Sequence, residues 1–578
     1  MSDDERPDGG SQPAPTGRSG LRAPDRRLLL GYGPALVIGA AFLLMAILVP
    51  TVAPEQNVTS GAGSPNAPSP GAATGLPVSG ASTPGGPVSS ALPGAANANS
   101  SAGGHAGGGV SLPPVVSACA GRQVQGDPYA PPCVKFSGGN GAATSPGVTA
   151  SSITVAYRIP ADNVSSAQQA IQQIAGKYNA SRFSDSPEAV QRTLSDLVAY
   201  FNLHFQFYGR KMVLEPYNGQ GQLGQEITGG GQAAAQADAI HVAQSMHAFA
   251  DISALSQPYA EALSAQHVVN VGVPYMSQEW FQQHAPYAWS FFPSCTDLSD
   301  EGAAISVREM GSQNVTWAGT GVRNGQPRKS AIIAPDNPAY QQCAHRVLDA
   351  MAASGHPAAA NLTYTLDLSQ LSQEAASLEQ QIVNDGITTI GCGCDPITLV
   401  YLTGDLENAH YEPEWLNIGA AFTDIDLVAQ LFNQSVWSHA MGVSNNGDVP
   451  PYGGSLGYFA AKSIDPGNPP AHIVDILYED LYIVALGIEE AGPDLTPVTF
   501  EKGLWNYGGG NGEYGPWTFN INGTSYWTPQ HSYRFEWWNP KAISSFDQEQ
   551  GSWVLGSTYY TPQTTPPGPP PVFPNGPQ

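Results

Sequence analysis

Between residues 150 and 560 the apolar positions follow two alternating periods. Short β-rich runs read as strands: ITVAY at 153, RKMVLEP at 210, HVVNVGV at 267, KSAIIAP at 329, ITTIG at 387 and EWLNIG at 414. Between them lie helix-length segments whose apolar residues recur about every 3.6 positions. These are AVQRTLSDLVAYF, AAAQADAIHVAQSM, AYQQCAHRVLDAMAASG, SQEAASLEQQIVNDG and HIVDILYEDLYIVALGIEEAG. Strand and helix in alternation predict parallel sheets covered on both faces. The units exceed one ordinary doubly wound domain, so two such sheets are predicted.

The flanks carry neither period. Arg18, Arg22, Arg26 and Arg27 precede the uncharged run LLLGYGPALVIGAAFLLMAILVPTVAP, residues 28–54. That run exceeds the roughly 20 apolar residues a helix needs to cross a bilayer. It predicts a single-pass anchor, with residues 1–27 cytoplasmic and the body outside the cell. Cleavage near Val52 and Ala53, or export through a twin-arginine signal at Arg26-Arg27, are the other outcomes this stretch allows. From Gln56 to Gly121 there is no Asp, Glu, Lys or Arg, and Gly, Ala, Ser and Pro dominate. Such a segment has too little large apolar surface to offset its ordering entropy, so residues 55–118 are predicted to be a disordered tether. Residues 561–578, TPQTTPPGPPPVFPNGPQ, read as a proline-rich disordered tail.

Composition narrows the function. With 47 acidic against 22 basic side chains and a net charge of -25, the chain would repel phosphate backbones and has no nucleic-acid footprint. Six cysteines, Cys119, Cys133, Cys295, Cys343, Cys392 and Cys394, all follow the apolar run, where an oxidising compartment permits disulfides. A zinc site would need a further close pair or a spaced histidine pair, and CGC is a poor match to a Cys-x-x-Cys redox centre, so no metal is expected. No cofactor is expected, nor catalysis: the chain lacks His-Glu-x-x-His, Gly-x-Ser-x-Gly and a phosphate-cradling Gly-x4-Gly-Lys. Glu489-Glu490 falls inside a predicted helix, where solvent exposure is the simpler account.

The phrases DPYAPPCVKFSGGNGAATSPGVTASSITVAYRI, RKSAIIAPDNPAY, DGITTIGCGCDP, YEPEWLNIGAAFTDID and AGPDLTPVTFEKGLW carry a likeness. In them the chain resembles the leucine/isoleucine/valine-type extracytoplasmic solute-binding proteins of ABC importers, the type I periplasmic-binding fold, from about Cys119 to Val554. The resemblance implies two α/β lobes joined by three hinge crossings and closing on a small solute. Residues 119–149 would form a lead-in pinned by a Cys119–Cys133 bridge. Lobe one would comprise 150–291 and 436–506, and lobe two 292–435 and 507–560. On that layout CGCDP ends a lobe-two strand, at the end of the sheet where open α/β sheets bind ligands. Cys392 and Cys394 would pair with Cys295 and Cys343 in an order the sequence leaves open, a bridge between Cys392 and Cys394 being strained.

The same resemblance nominates contacts in the loops after the strands. Ser253 and Ser256 in DISALSQPYAEAL could receive a carboxylate or cap the helix at 257. Tyr275, Met276 and Ser277 in PYMSQEW either line the cleft or, for the first two, pack in the core. Tyr340 in PDNPAY would lie against the ligand or serve as a core tyrosine. In GAAFTDID, Phe422 would be a wall, and Asp424 either a counter-ion for an amino-acid ammonium or a cap for the helix DLVAQLF; Asp395 has the same two readings. FEWWNP and YGPWTFNINGTSYW read as packing in the hinge and lobe two, and His439 as hydrogen-bonded structure. The function implied is capture of a small polar, amino-acid-like ligand for delivery to ABC permease subunits. A tethered sensor or scaffolding ectodomain with the same clamshell is the alternative.

Overall fold

The computed structural model describes residues 121–161 and 185–566, apart from 312, 368–369 and 452. The expected anchor, tether and Cys119 lie outside the described residues. Among those described, no helix is long and apolar enough to cross a membrane.

Five strands form the first sheet: β1 (Ser152–Ile159), β2 (Lys211–Asn218), β3 (Ala250–Asp251), β4 (Val269–Val271) and β5 (Ala288–Trp289). All pairs are parallel and the spatial order is β2-β1-β3-β4-β5. The second sheet starts with β6 (Ser330–Pro335), β7 (Ala360–Tyr364), β8 (Thr389–Cys392), β9 (Glu414–Asn417) and β10 (Ala440–Ser444). These run parallel in the order β7-β6-β8-β9-β10, the first sheet's order repeated. It is not purely parallel as expected: β11 (Arg534–Ile543) adds antiparallel to β10, and β12 (Gln550–Leu555) closes the edge. The predicted strands are all present. Those the periodicity passed over include β3 and β5, too short at two residues each to show any period.

The predicted helices are formed, and their starts are explained locally. Ser186 accepts a hydrogen bond from the Ala189 N–H ahead of α1 (Pro187–His204), with Pro at the first helical position. Beside the first sheet follow α2 (Gln232–Gln244), α3 (Gln257–Ala265) and α4 (Gln278–Gln283). In the second lobe α5 (Cys295–Ala304) packs on α6 (Pro338–Ala353), followed by α7 (Leu371–Asp385) and α8 (Pro396–Asn408). The chain then returns to the first lobe through α9 (Leu456–Ile464), α10 (Val474–Ala491) and α11 (Pro497–Asn506). α10 is buried nearly all round, and a Cβ at its Gly487 would sit 2.2 Å from the Phe500 ring, so α11 can approach only a glycine there.

The expected lobe limits need correction at three places. Residues 436–444, assigned to lobe one, belong to the second lobe: β10 is a strand of its sheet and Trp437 packs with Trp415 and Trp553. Trp517, Phe519 and Trp527, assigned to lobe two, pack in the first lobe's core. The lead-in also feeds the first lobe's core: Tyr129 is buried, donates to the Gly515 carbonyl and accepts from the Tyr514 N–H. At the other end the folded chain runs past Tyr560, which pairs with Tyr533, to a buried Thr565. Glu489 is also not exposed: it is buried and accepts from the Gln206 N–H at 2.9 Å.

A buried ion cluster fixes the end of β1. Arg158 is held by Glu226 through two bonds of 2.9 and 2.7 Å and by Asp238 at 3.3 Å, with the guanidinium 3.6 Å from the Tyr259 ring centre. Removing the cation would leave two buried carboxylates unpaired. Arg158→Ala is therefore expected to destabilise the chain by about 3–5 kcal/mol, checked by urea unfolding with the midpoint shifted down and the slope unchanged.

Candidate functional site

In both sheets the strand order reverses beside the first strand, so helices leave β1 and β3, or β6 and β8, to opposite faces. The crevice so left lies beyond the strands' carboxyl ends. Those ends face each other here. A cavity of about 150 Å³ lies between them, lined from the first lobe by Leu255, Ser256, Pro274 and Met276 and from the second by residues after β6, β8 and β9. A dry apolar cavity of that order accommodates a benzene-sized molecule. A second cavity of about 60 Å³ lies at the hinge crossings, and Tyr275 lines both.

The nominated residues divide between contact and support. Met276, Tyr340, Ser256, Asp395 and Tyr275 line the larger cavity. Phe422 and Asp424 line the smaller one, again with Tyr275. Ser253 and Ser277 line neither. The Ser253 hydroxyl donates to Asp251 and accepts from the Arg158 N–H, tying β3 to β1. Ser277 caps α4, accepting from the Trp280 N–H. Both are corrections to the expected ligand set: short hydroxyl side chains at strand ends satisfy backbone groups first.

Most polar groups of the larger cavity are already occupied. Asp395 accepts from the Ile397 and Thr398 N–H groups, from the Thr398 hydroxyl and from Tyr364, so of its two readings it is the cap of α8. The Ser256 hydroxyl donates to Glu226, which is spent on Arg158; it makes no cap bond to α3. Asn337 caps α6. Among the described residues the Tyr340 hydroxyl has no hydrogen-bond partner, and burial pushes it up to about 12, so it stays protonated and able to donate. The cavity thus offers a wide apolar wall with the Tyr340 and Ser306 hydroxyls as its uncommitted polar groups among the described residues.

The lobes meet at a strained contact. The Tyr275 hydroxyl accepts from the Ala421 N–H at 3.0 Å, and the Phe292 and Phe422 rings lie 5.5 Å apart. Tyr275, Ala421 and Phe422 all have left-handed backbones, with φ of 56°, 55° and 60°. Non-glycine residues avoid that region at a cost of order 1 kcal/mol or more each, and such outliers gather at ligand clamps.

Asp424 does not cap a helix: the following helix begins at Asp426 with Ile425 before it. Its carboxylate accepts from the Ser444 hydroxyl at 2.6 Å and the Asn446 side chain at 2.9 Å. His439 is structural, its Nδ1 facing the Trp317 carbonyl.

The cysteines depart from the expected pairing. Cys295 is bonded to Cys343 and Cys392 to Cys394, all four lining the larger cavity. The strain argument fails because the chain bends at Gly393, bringing the Cys392 and Cys394 Cα atoms to 5.2 Å, inside the usual disulfide range of about 4.4–6.8 Å. Cys133 is also disulfide-bonded. Non-reducing peptide mapping by mass spectrometry should return a Cys295–Cys343 cross-linked pair and an internal Cys392–Cys394 bridge; a Cys343–Cys392 cross-link would contradict this assignment.

Burial also sets a pH response. Desolvation raises Asp424 and Asp475 to about 6 and Glu513 to about 7, from 3.8 and 4.5. The folded state holds protons that the unfolded chain has released, so the stabilisation from these groups is complete below about pH 4 and is lost through pH 6–7. The melting temperature should fall between pH 5 and 8. The fall should shrink in an Asp424→Asn, Glu513→Gln double variant, as pH-resolved calorimetry would show.

No family model matches the chain, and no curated protein does. Solved structures with a similar course include an ABC-transporter solute-binding protein from R. palustris in complex with 4-hydroxybenzoate (10% identity, 71% of this chain and 97% of that one, TM-score 0.48). A branched-chain amino acid transporter substrate-binding protein from Streptococcus pneumoniae, in complex with isoleucine, has 9% identity over 70% of this chain and 100% of that one, TM-score 0.44. A fatty acid ABC transporter substrate-binding protein from Thermomonospora curvata has 11% identity over 73% and 95%, TM-score 0.48.

Proposed function

We propose that the chain is an extracytoplasmic solute receptor, tethered by residues 28–54, that hands a small solute to the permease of an ABC importer. One observation carries the reading: a cavity lies between two lobes whose parallel strands share one order, at the carboxyl ends of both sheets. Three crossings, after Phe292, after Asn445 and near Gln530, give a hinge about which the lobes can open. The Tyr275–Ala421 contact is then a latch made only in the closed form.

The lining defines the solute. Its body is apolar, matching Leu255, Met276, Leu298, Ile333 and Ile418, and it carries a polar group within reach of Tyr340. An amino acid with an apolar side chain, or a small aromatic acid, meets both conditions. Recognition rather than turnover is the chemistry, since the carboxylates on this wall are fixed by helix capping and by Arg158.

Thermal shift of the full chain with apolar amino acids and small aromatic acids tests the reading. Ligand at 100 times Kd should add about 2.7 kcal/mol of stability. Tyr340→Phe should weaken the ligand about three- to tenfold by removing one hydrogen bond, and Leu298→Trp should abolish binding by filling the cavity. A full panel without response, or a response indifferent to Leu298→Trp, would sink the proposal.

A further inference from the structure

The geometry points to an extension of the larger cavity along the second-lobe sheet beneath α5, built for a linear solute with a neutral hydrogen-bonding group at its far end. This rests on the receptor reading and narrows the solute class. A third cavity, of about 90 Å³, lies toward the amino-terminal ends of β6 and β8, where Arg328, Ser330 and Thr389 line it. It shares Ser306, Ile332, Gly391 and Leu416 with the interlobe cavity, so the two spaces meet at these residues. Three of the four form one row across the sheet: Gly391 is in register with Ile332 of β6 and with Leu416 of β9. Two residues back, on the same face, stand Ser330, Thr389 and Glu414.

Gly391 lies in an inner strand yet is only partly buried, because the cavities meet over it. A glycine inside a strand often marks a close approach by a ligand. A Cβ added there would come within 2.8 Å of the Ile332 δ-methyl, the end of a side chain, so a rotamer change at Ile332 widens the neck. The opposite wall is α5 and the π-helical turn Ile305–Met310 that extends it, a conformation frequent at functional sites. In that turn Ser306 is 7% exposed and borders both cavities, and among the described residues its hydroxyl has no hydrogen-bond partner. Burying a hydroxyl without a partner is costly unless a ligand supplies one. Beyond the neck the Ser330 hydroxyl is also uncommitted among the described residues, while Arg328 pairs with Glu414 at 2.8 Å and Thr389 donates to Glu414 at 2.7 Å. His356, on the same lining, is exposed to water. Neutral hydroxyls beside a compensated ion pair suit a hydroxyl or amide terminus better than a charged one. From Gly393 in the cleft to Thr389 the track along β8 runs about 13 Å, so its occupant is an extended chain with an apolar stem over Gly391 and Leu416.

Isothermal titration of the full chain with butanoate, octanoate and ω-hydroxyoctanoate tests this, beside leucine and benzoate as short solutes. ω-Hydroxyoctanoate should bind at least about tenfold tighter than butanoate, from the added buried methylenes, and about three- to tenfold tighter than octanoate, from its terminal hydrogen bond. Ser306→Ala should erase the second difference only. Gly391→Val, which fills the neck with a residue suited to a strand, should bring ω-hydroxyoctanoate down to the affinity of butanoate; Ile332→Val, which removes the overhanging methyl, should not weaken it. Leucine or benzoate should bind all three variants as they bind the parent, which also shows that the variants fold. Binding of a short solute with no gain from chain length, or a gain that survives both Gly391→Val and Ser306→Ala, would overturn the extension and leave the receptor reading standing. No response to any of the five compounds would remove both.

Discussion

Parallel strand pairing with one reversal of direction is the constraint from which the rest of this molecule follows. β1 pairs with β2 on one side and β3 on the other, and β6 does the same with β7 and β8. Each parallel connection must leave the sheet and return through a helix, so at the reversal two helices diverge and a gap opens. Setting two such sheets with their carboxyl ends together turns two gaps into one shared cleft. The loops that line it, after β3, β4, β6, β8 and β9, are placed by strand order before any ligand chemistry is chosen.

The chemistry then depends on how each buried charge is satisfied. In the first lobe Arg158 sits at the cleft end of β1 and consumes Glu226 and Asp238, which makes the adjoining wall rigid and electrostatically quiet. In the second lobe the comparable pair, Arg328 with Glu414 at 2.8 Å, lies at the opposite, amino-terminal end of the sheet, where Glu414 also accepts from Thr389 and the Thr316 N–H. The larger cavity is therefore apolar by subtraction. The smaller one has no lysine, arginine or histidine among its described lining residues, and burial, with repulsion among the carboxyls, raises Glu479 and Glu513.

Much of this was legible in the chain. A long β-branched run or a helix of several turns shows its period, so β1, β2, β6 and the helices α1, α2, α6, α7 and α10 could be read, and from their alternation the two sheets. What could not be read depended on contacts between distant residues. β10 is five residues that take their sheet from β9, and the Tyr129 ring reaches its core through residues 507–517. The same limit governed the site. Met276 and Tyr340 follow strands directly and could be named; Glu479 is a helix residue in α10 that only the hinge brings to the cleft, and no local pattern marks it. Asp395 and Asp424 look alike in sequence, each an acid shortly before a helix. One caps and the other does not, because Ile425 stands between Asp424 and the first residue of its helix.

The two disulfides and the strained contact divide the cleft mechanically. Cys295–Cys343 joins the start of α5 to α6, and Cys392–Cys394 ties off the end of β8, so the second-lobe wall of the larger cavity is cross-linked on two sides. The facing wall has no such bond. Tyr275 reaches across with its backbone in the left-handed region, and its partners Ala421 and Phe422 are in the same region. Strain of this kind is kept where a contact stabilises one state over another. On the proposed reading, opening the lobes would break the Tyr275–Ala421 bond and separate Phe292 from Phe422 while letting three left-handed backbones relax, two effects of opposite sign. On the proposed receptor reading, a solute that fills the cavity would then decide the balance.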